Sequence, residues 1–117
     1  METIPPVEPP RARIARHRHD DVVVLQPLGT LDHGLAGDVR EQILEAHAPV
    51  VIDLDRCARF EATAIADIIT AWPLYRPRFC LACSSPGDRR MMESLAENED
   101  IEVFPSVDEA IAALLAP

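Results

Sequence analysis

This chain of 117 residues contains three cysteines, and two of them have a spacing that suggests chemistry. Cys80 and Cys83 are separated by two residues, as in a thiol redox motif or one half of a zinc site. Both lie in an apolar run that predicts a strand, where residues i and i+3 point to opposite faces. With Cys57 the count is odd, which is typical of reduced thiols in the cytoplasm. We therefore expect cysteines that pack in the core and bind no metal.

Other side chains that could catalyse a reaction or bind a ligand lack the partners that a known type of site requires. Asp53 closes an apolar run, as a Walker B aspartate does, but the chain has no lysine and no Gly-x-x-x-x-Gly-Lys loop. Ser84 and Ser85 lie in no Gly-x-Ser-x-Gly turn. His17 and His19 could ligate a metal, but their segment is more typical of a solvated strand edge. We expect no catalytic group, no metal and no cofactor, and infer that the protein is not an enzyme.

The most informative stretch, residues 50–65, joins a predicted buried strand to a predicted helix. An apolar run that ends at acidic residues predicts the strand, and the polar residues Glu61 and Thr63 precede an apolar stripe that predicts the helix. Such a junction is where α/β sheets commonly place their functional surface. The exposed N–H groups of the helix favour an anion, including a phosphate on a hydroxyl side chain. We expect the function to be located here.

The composition limits the classes of protein and partner. Hydrophobic residues make up 48% and charged residues 26%, with a mean hydropathy of +0.00, which is typical of one globular domain. The net charge of −9 argues against nucleic acid as a partner, because phosphate binding needs a basic surface. No apolar run approaches the roughly 20 residues of a membrane span, and residues 1–6 show no charged or apolar leader. We expect a cytoplasmic domain without membrane insertion.

Periodicity and turn residues predict one α/β domain over residues 11–117, preceded by a Pro-rich disordered arm at residues 1–10. The predicted strands are residues 11–19, 22–28, 50–54, 79–83 and 101–104. The predicted helices are residues 35–46, 62–72 and 88–96, and a last helix that Ser106 caps with Glu109 in a capping box. This alternation predicts a mixed, mostly parallel sheet of about four to five strands with about four helices packed on it.

Three finer expectations accompany this assignment. Pro27 should limit the second strand to an edge or to the end of its ladder. Gly29 should end that strand, and residues 56–59 should form a polar turn. Leu44 should belong to the buried stripe of the first helix.

Two motifs at this spacing resemble a known family. Residues 29–33 read Gly-Thr-Leu-Asp-His after the second strand, and residues 50–65 contain an apolar run ending in Asp-Leu, a turn, and an apolar residue before the second helix. Together with the order of elements, they resemble the STAS domain of bacterial anti-sigma factor antagonists over about residues 12–116. The resemblance implies a regulatory domain whose partner is an anti-sigma factor or a related regulatory protein.

The family's switch motif reads Asp-Ser-Ser/Thr-Gly-Leu at the start of the second helix, where this chain has Glu-Ala-Thr-Ala-Ile at residues 61–65. The resemblance therefore places Ala62 on the serine that the partner kinase phosphorylates. Phosphate there adds about −1.5 to −2 charges and breaks binding, whereas alanine has no oxygen to phosphorylate. Thr63 keeps a hydroxyl one residue further on, in a direction rotated by about 100°, and is the possible phosphorylation site.

The resemblance also implies a surface for partner docking, formed by residues 29–34, residues 58–63 and the exposed side of helix 62–72. The residues expected to contact the partner are Asp32, His33, Arg59, Glu61, Ala62 and Thr63. Two of them have an alternative interpretation. Asp32 is also a good N-cap for the first helix, and Glu61 also suits the positive end of the second helix.

Three functions remain open at this point. The first is docking of an anti-sigma factor of the serine kinase type, which releases a sigma factor. The second is a constitutive subunit of a larger signalling or lipid-transport assembly, in which Ala62 needs no switch. The third is a small-molecule sensor with a pocket between helix 62–72 and the sheet. The oligomeric state is left open as well.

Overall fold

The computed structural model describes residues 14–70, 78–97 and 99–116. In chain order its elements are β1 (Ile14–His19), β2 (Val22–Pro27), β3 (Gly29–Leu31), α1 (His33–Ala46), β4 (Val50–Asp53), β5 (Cys57–Phe60), α2 (Ala62–Thr70), β6 (Phe79–Ala82), α3 (Pro86–Leu95), β7 (Val103–Phe104) and α4 (Val107–Leu115). The predicted arm at residues 1–10 lies outside the described residues, as do the last two residues of the predicted helix 62–72.

Strands β1, β2, β4, β6 and β7 form one sheet in that spatial order. β1 pairs antiparallel with β2, whereas β2, β4, β6 and β7 run parallel to one another. Pro27 lies opposite Ile14 at the end of the β1–β2 ladder, where the missing N–H removes no central hydrogen bond. Within the described ranges, the predicted mixed, mostly parallel sheet with four helices packed on it is confirmed.

The central strands are apolar on both faces because helices cover both sides of the sheet. On one face, alternate strand residues such as Leu25 and Ile52 pack with the inner sides of α1, α2 and α3. On the other face, Val24 and Val51 pack under α4. Cys80 belongs to the α4 face and Cys83 to the opposite one, which confirms that these thiols point away from each other. Each fully buried Val, Ile or Leu contributes roughly 1.5–3 kcal/mol to this core.

Side-chain caps determine where the helices begin. Asp32 Oδ1 accepts a hydrogen bond from the Leu35 N–H at 2.9 Å, so α1 begins at His33, two residues before its predicted start. α3 also begins two residues early, because a serine caps it and a proline occupies its first turn. Ser106 Oγ accepts from the Glu109 N–H at 3.1 Å and donates to the Glu109 carboxylate, which confirms the predicted cap of α4.

Residues 29–31 and 57–60 form short strands that the sequence analysis did not predict. We expected Gly29 to end β2 and residues 56–59 to be a turn, but β3 and β5 pair in parallel as a separate two-stranded sheet. Gly29 has a φ of 84°, a backbone conformation that glycine adopts easily and that turns the chain from β2 into β3. Strands of three and four residues carry too little alternation to be recognised in a sequence.

The expected burial of Leu44 is wrong, since 51% of this residue is exposed. The buried side of α1 carries Leu35, Val39 and Ile43. Leu44 follows Ile43 directly and is therefore rotated by about 100° away from the buried side.

Candidate functional site

The pairing of β3 with β5 brings together the two segments that the sequence analysis singled out. Thr30 lies opposite Arg59, and Leu31 lies opposite Phe60. Where this small sheet ends, the Glu61 N–H donates to the Leu31 carbonyl at 3.0 Å. Leu31 is fully buried while Arg59 and Glu61 are exposed. The two segments thus form one surface, in which Leu31 is buried below the exposed side chains of Arg59 and Glu61.

α2 continues this surface with small and polar side chains. Its three isoleucines are buried, whereas Ala62 and Thr63 are exposed in the first turn. The Glu61 carbonyl accepts hydrogen bonds from the N–H groups of residues 64 and 65, which places Glu61 directly before the helix. A carboxylate at this end is stabilised by the helix dipole. The position of Glu61 therefore agrees with a role at the positive end of α2, and its exposure also leaves it accessible to a partner.

Asp32 performs the structural role that was one of its two interpretations. Its Oδ1 caps α1 through the Leu35 N–H at 2.9 Å, and its carbonyl accepts from the Ala36 N–H at 2.8 Å. The residue is nevertheless exposed. Its contact with a partner therefore stays a prediction beside the confirmed cap.

His33 joins α1 to α2 through a residue that the sequence analysis missed. His33 Nδ1 lies 2.5 Å from Asp67 Oδ2, and the two side chains are 61% and 42% exposed. An exposed pair of this kind contributes about 1 kcal/mol or less to stability. Its main effect is to hold the imidazole of His33 and the carboxylate of Asp67 together at the surface beside the first turns of α2. Asp67 follows Thr63 by one helical turn, and that spacing is the signal that could have identified it.

We call the surface formed by Asp32, His33, Arg59, Glu61, Ala62, Thr63 and Asp67 the α2 face. It contains every residue that the sequence analysis assigned to docking. Three of its side chains are carboxylates and one is a guanidinium, so the α2 face is acidic.

A row of polar side chains crosses the sheet from β4 to β1. Asp53, at the end of β4, is only 6% exposed. Its Oδ2 accepts from Gln26 Nε2 at 2.7 Å, and its Oδ1 accepts from the Asp55 N–H at 3.1 Å. His17 Nε2 lies 2.7 Å from Gln26 Oε1 and extends the row to the surface of β1. Asp55 Oδ1 in turn accepts from both the N–H and the hydroxyl of Ser84. Asp53 therefore holds the β4–β5 turn in place.

We expect Asp53→Ala to lower the free energy of unfolding by about 2–3 kcal/mol, because it removes the buried carboxylate that accepts hydrogen bonds from the Gln26 amide and the Asp55 N–H. Urea unfolding followed by circular dichroism measures this loss. The control His17→Ala removes an exposed contact of the same row and should cost about 0.5 kcal/mol or less. Equal losses in the two variants would contradict the importance assigned to the buried contacts.

An open cleft of about 460 Å³ lies between β5 and the β6–α3 turn, beside the α2 face. Its walls include Asp55, Arg59, Phe60, Ser84 and Asp88. It differs in place from the pocket that the sensor hypothesis put between α2 and the sheet. The described residues contain no group of three potential metal ligands. In the same parts of the chain, no helix has the length and apolar character needed to span a membrane.

The cysteines are protonated at neutral pH. Burial raises the pKa of the Cys57 thiol to about 11, and the Asp53 carboxylate adds to this effect. Burial, with the Glu102 carboxylate, raises the pKa of Cys80 to about 12. Burial also raises the pKa of Cys83. Because the thiolate is the reactive form, this arrangement favours the core-packing interpretation over a redox motif.

Iodoacetamide at pH 8 should therefore alkylate Cys57 in the folded protein about 100-fold more slowly than in urea, since its thiolate fraction is lower by about two powers of ten. Alkylation of the folded protein should accelerate as the pH rises towards 11, the raised pKa of this thiol. Peptide mass spectrometry at intervals measures both rates. Equal rates in the folded and unfolded protein at pH 8 would contradict the raised pKa.

The structure resembles solved structures of anti-sigma factor antagonists. An anti-sigma factor antagonist from Mycobacterium paratuberculosis matches with a TM-score of 0.74 at 18% identity, over 94% of this chain and 100% of that one. The unphosphorylated form of the anti-sigma factor antagonist SpoIIAA matches with 0.58 at 17%, over 86% and 95%. A putative anti-sigma factor antagonist from Thermotoga maritima matches with 0.66 at 14%, over 88% and 95%. These similarities show a shared fold.

The sequence itself also identifies the family. The sequence profile of the STAS domain matches residues 13–110, which span every element from β1 to the first turn of α4. No curated protein sequence matches this chain. The resemblance inferred from residues 29–33 and 50–65 is therefore confirmed. The chain belongs to the STAS domain family.

Proposed function

We propose that this STAS domain is a non-enzymatic cytoplasmic regulator that docks an anti-sigma factor of the serine kinase type through the α2 face, and so releases a sigma factor. The observation that carries the proposal is the assembly of two distant motifs into one exposed surface. β3 pairs with β5, Glu61 bonds to Leu31, and His33 contacts Asp67. Exposed side chains held by rigid elements are typical of recognition surfaces.

The charge of the α2 face favours a partner with a basic surface. Asp32, Glu61 and Asp67 outnumber the single guanidinium of Arg59, and the whole chain carries a net charge of −9. Complementary potentials accelerate association and orient the two partners. We infer that the partner presents arginine or lysine side chains to the α2 face.

Ala62 supports binding that no phosphoserine interrupts. It is the first residue of α2 and is exposed, so the position is accessible but carries no hydroxyl. Thr63 is exposed as well, but its side chain leaves the helix in a direction about 100° away. We propose that the protein binds its partner constitutively.

A second candidate function follows from the same residue. A domain that binds without a switch also suits a permanent subunit of a larger signalling or lipid-transport assembly. In that case the α2 face would contact a scaffold or transport protein in place of an anti-sigma factor.

Affinity capture from extract of the native cell, with and without Mg·ATP, tests the proposal. The full chain serves as bait, captured proteins are identified by mass spectrometry, and phosphosites on the bait are mapped. We expect an anti-sigma kinase to be captured equally under both conditions, with no phosphate on the bait. Re-binding of the identified kinase as a purified protein confirms that the contact is direct.

Each other result would change the conclusion in a defined way. Capture of transport or scaffold proteins alone would favour the second candidate function. Phosphate on Thr63 together with loss of the kinase in Mg·ATP would overturn constitutive binding. Where residues of the α2 face are changed to arginine, Glu93→Arg on the exposed side of α3 serves as the control. It makes the same change of charge outside the α2 face.

A further inference from the structure

Strand β1 lies at one edge of the five-stranded sheet and carries positive charge in an acidic chain. It pairs with β2 on its inner side, and no strand of residues 14–70, 78–97 and 99–116 pairs with its outer side. Its last four residues, Arg16, His17, Arg18 and His19, are exposed. Within the same described ranges, neither arginine belongs to an ion pair. The whole chain has a net charge of −9, so this edge differs in sign from the rest of the molecule.

The two arginine side chains lie on the same face of the sheet. Residues that lie opposite each other in an antiparallel pair share a face. Arg16 lies opposite Leu25. Arg18 lies opposite Val23, and both partners belong to the core beneath α1, α2 and α3. The Cα atoms of the two arginines are about 7 Å apart along the strand, which equals the spacing of alternate residues in a strand added beside them.

The backbone of β1 directs hydrogen-bonding groups to the free side at the same residues. The Val23 N–H donates to the Pro49 carbonyl at 2.9 Å, at the start of β4 and away from β1. Pairs in an antiparallel ladder alternate between those that exchange both backbone hydrogen bonds and those that exchange none. The Arg18–Val23 pair is of the second kind, and so are the pairs at Arg16 and Ile14. The N–H and C=O groups of Ile14, Arg16 and Arg18 therefore point outward.

The charge of the edge selects the kind of chain that it accepts. A free edge pairs with an extended chain unless something blocks it. Arg16 and Arg18 disfavour a basic strand, a second β1 included, because like charges in opposite positions repel. Phosphates of a nucleic acid match the charge, but they only accept hydrogen bonds and leave the outward carbonyls without donors. An extended acidic peptide complements both the guanidinium groups and the backbone groups.

We propose that β1 binds an extended acidic segment of a partner protein, which adds to the sheet antiparallel to β1. Two carboxylates at alternate positions of the segment face Arg18 and Arg16, and an apolar side chain two residues further on faces the half-buried Ile14. The antiparallel direction is favoured because each outward-pointing residue then exchanges two hydrogen bonds with the residue opposite.

The turn beyond β1 limits the register of the added segment. Asp20 and Asp21 follow the strand directly, so carboxylates of the segment beside this turn would be repelled. The order acidic-x-acidic-x-apolar places both acids beside the arginines and none beside the turn. The contact uses no residue of the α2 face, so its test is independent of the proposed function.

A capped peptide of sequence Glu-Thr-Glu-Thr-Val carries this pattern and serves as the probe in nuclear magnetic resonance titrations of the full chain. We expect the amide resonances of residues 14–19 to shift at about 0.02 M salt, with an affinity at least about ten-fold lower at about 0.5 M, because salt screens exposed charges. The peptide Thr-Glu-Glu-Thr-Val has the same composition, but its carboxylates fall on opposite faces of a strand. It should bind at least about five-fold more weakly.

N-methylated peptides test the backbone contact. A methyl group on the nitrogen of the second glutamate removes a hydrogen bond to Arg16 and should lower the affinity at least about ten-fold. The nitrogen of the threonine that follows points away from β1. Its methylation is the matched control and should change the affinity by less than about two-fold.

Charge reversal on the protein tests the side-chain contact. Arg16→Glu with Arg18→Glu should weaken binding of the glutamate peptide at least about ten-fold and should allow binding of Lys-Thr-Lys-Thr-Val. Arg56→Glu with Arg90→Glu makes the same change in net charge at exposed positions outside β1 and should bind as the natural chain does. Circular dichroism verifies that both variants fold.

Four results would overturn the proposal. One is the absence of resonance shifts at about 2 mM peptide and low salt. Equal affinities of the two glutamate peptides, or equal effects of the two methyl groups, would show attraction without strand pairing. Failure of the lysine peptide to bind the charge-reversed variant would remove the side-chain contact. Tighter binding of a short thymidine oligonucleotide than of the glutamate peptide would assign the edge to nucleic acid.

Discussion

The variant Ala62→Ser is expected to make the proposed constitutive binding of the partner switchable by phosphorylation. Ala62 is exposed at the first residue of α2, so an introduced hydroxyl is accessible to a partner kinase. Phosphate there would add about −1.5 to −2 charges to a surface that already carries Asp32, Glu61 and Asp67. We expect phosphorylation by the captured kinase in Mg·ATP and an affinity about 100-fold lower, equivalent to about 2.7 kcal/mol. Mass spectrometry and titration calorimetry measure the two effects.

The chain offers a matched control for this variant. Ala66→Ser introduces the same hydroxyl one helical turn further along α2, at a half-buried position. It should gain no phosphate and should bind as the natural chain does. A phosphorylated Ala62→Ser variant that still binds with unchanged affinity would show that the partner does not contact the N-terminus of α2. Phosphate on Thr63 of the natural chain, with loss of binding, would show that the switch operates one residue further on.

Charge reversal at exposed carboxylates of the α2 face should weaken binding of a basic partner by about ten-fold per residue, or about 1.4 kcal/mol. Glu61→Arg and Asp32→Arg both replace an exposed carboxylate by a guanidinium. Titration calorimetry at two salt concentrations measures the loss. The difference between variant and natural chain should shrink as salt rises, because these charges are exposed to solvent.

Asp32 needs a control that separates its two roles. Asp32→Asn keeps an oxygen that caps α1 and removes only the charge, so it should preserve stability and lose part of the affinity. Asp32→Ala removes the cap as well and should lower the free energy of unfolding by about 1 kcal/mol. If Glu61→Arg and Asp32→Arg both leave binding unchanged, the assignment of the α2 face to docking is wrong.

The elements of the main sheet and the helices could be predicted because their signals are local. β4 is a continuous apolar run, and Ser106 with Glu109 marks the start of α4 within four residues of sequence. The starts of α1 and α3 were misplaced by two residues because caps decide helix ends more precisely than apolar periodicity does. Leu44 was misassigned for a related reason, since apolar character alone does not show which side of a helix faces the core.

The docking residues stay a prediction, and the structure adds how the segments that carry them meet. The docking residues were chosen from two separate motifs, and β3–β5 pairing places them side by side. Asp67 was missed because it belongs to no motif and gains its role only beside His33. Asp53 was noted for a resemblance to a nucleotide site, whereas the structure shows it holding the β4–β5 turn through Gln26 and Asp55.

The sequence by itself determined the family, the order of the buried strands and capped helices, the separation of Cys80 from Cys83, and the absence of a hydroxyl at Ala62. These properties depend on residue types and on spacings of a few residues. Only the tertiary structure decided which distant groups meet. The Gln26–Asp53 and His33–Asp67 contacts join residues 27 and 34 positions apart. Such contacts arise from the packing of whole elements, because no local propensity brings residues so far apart in sequence to within hydrogen-bonding distance.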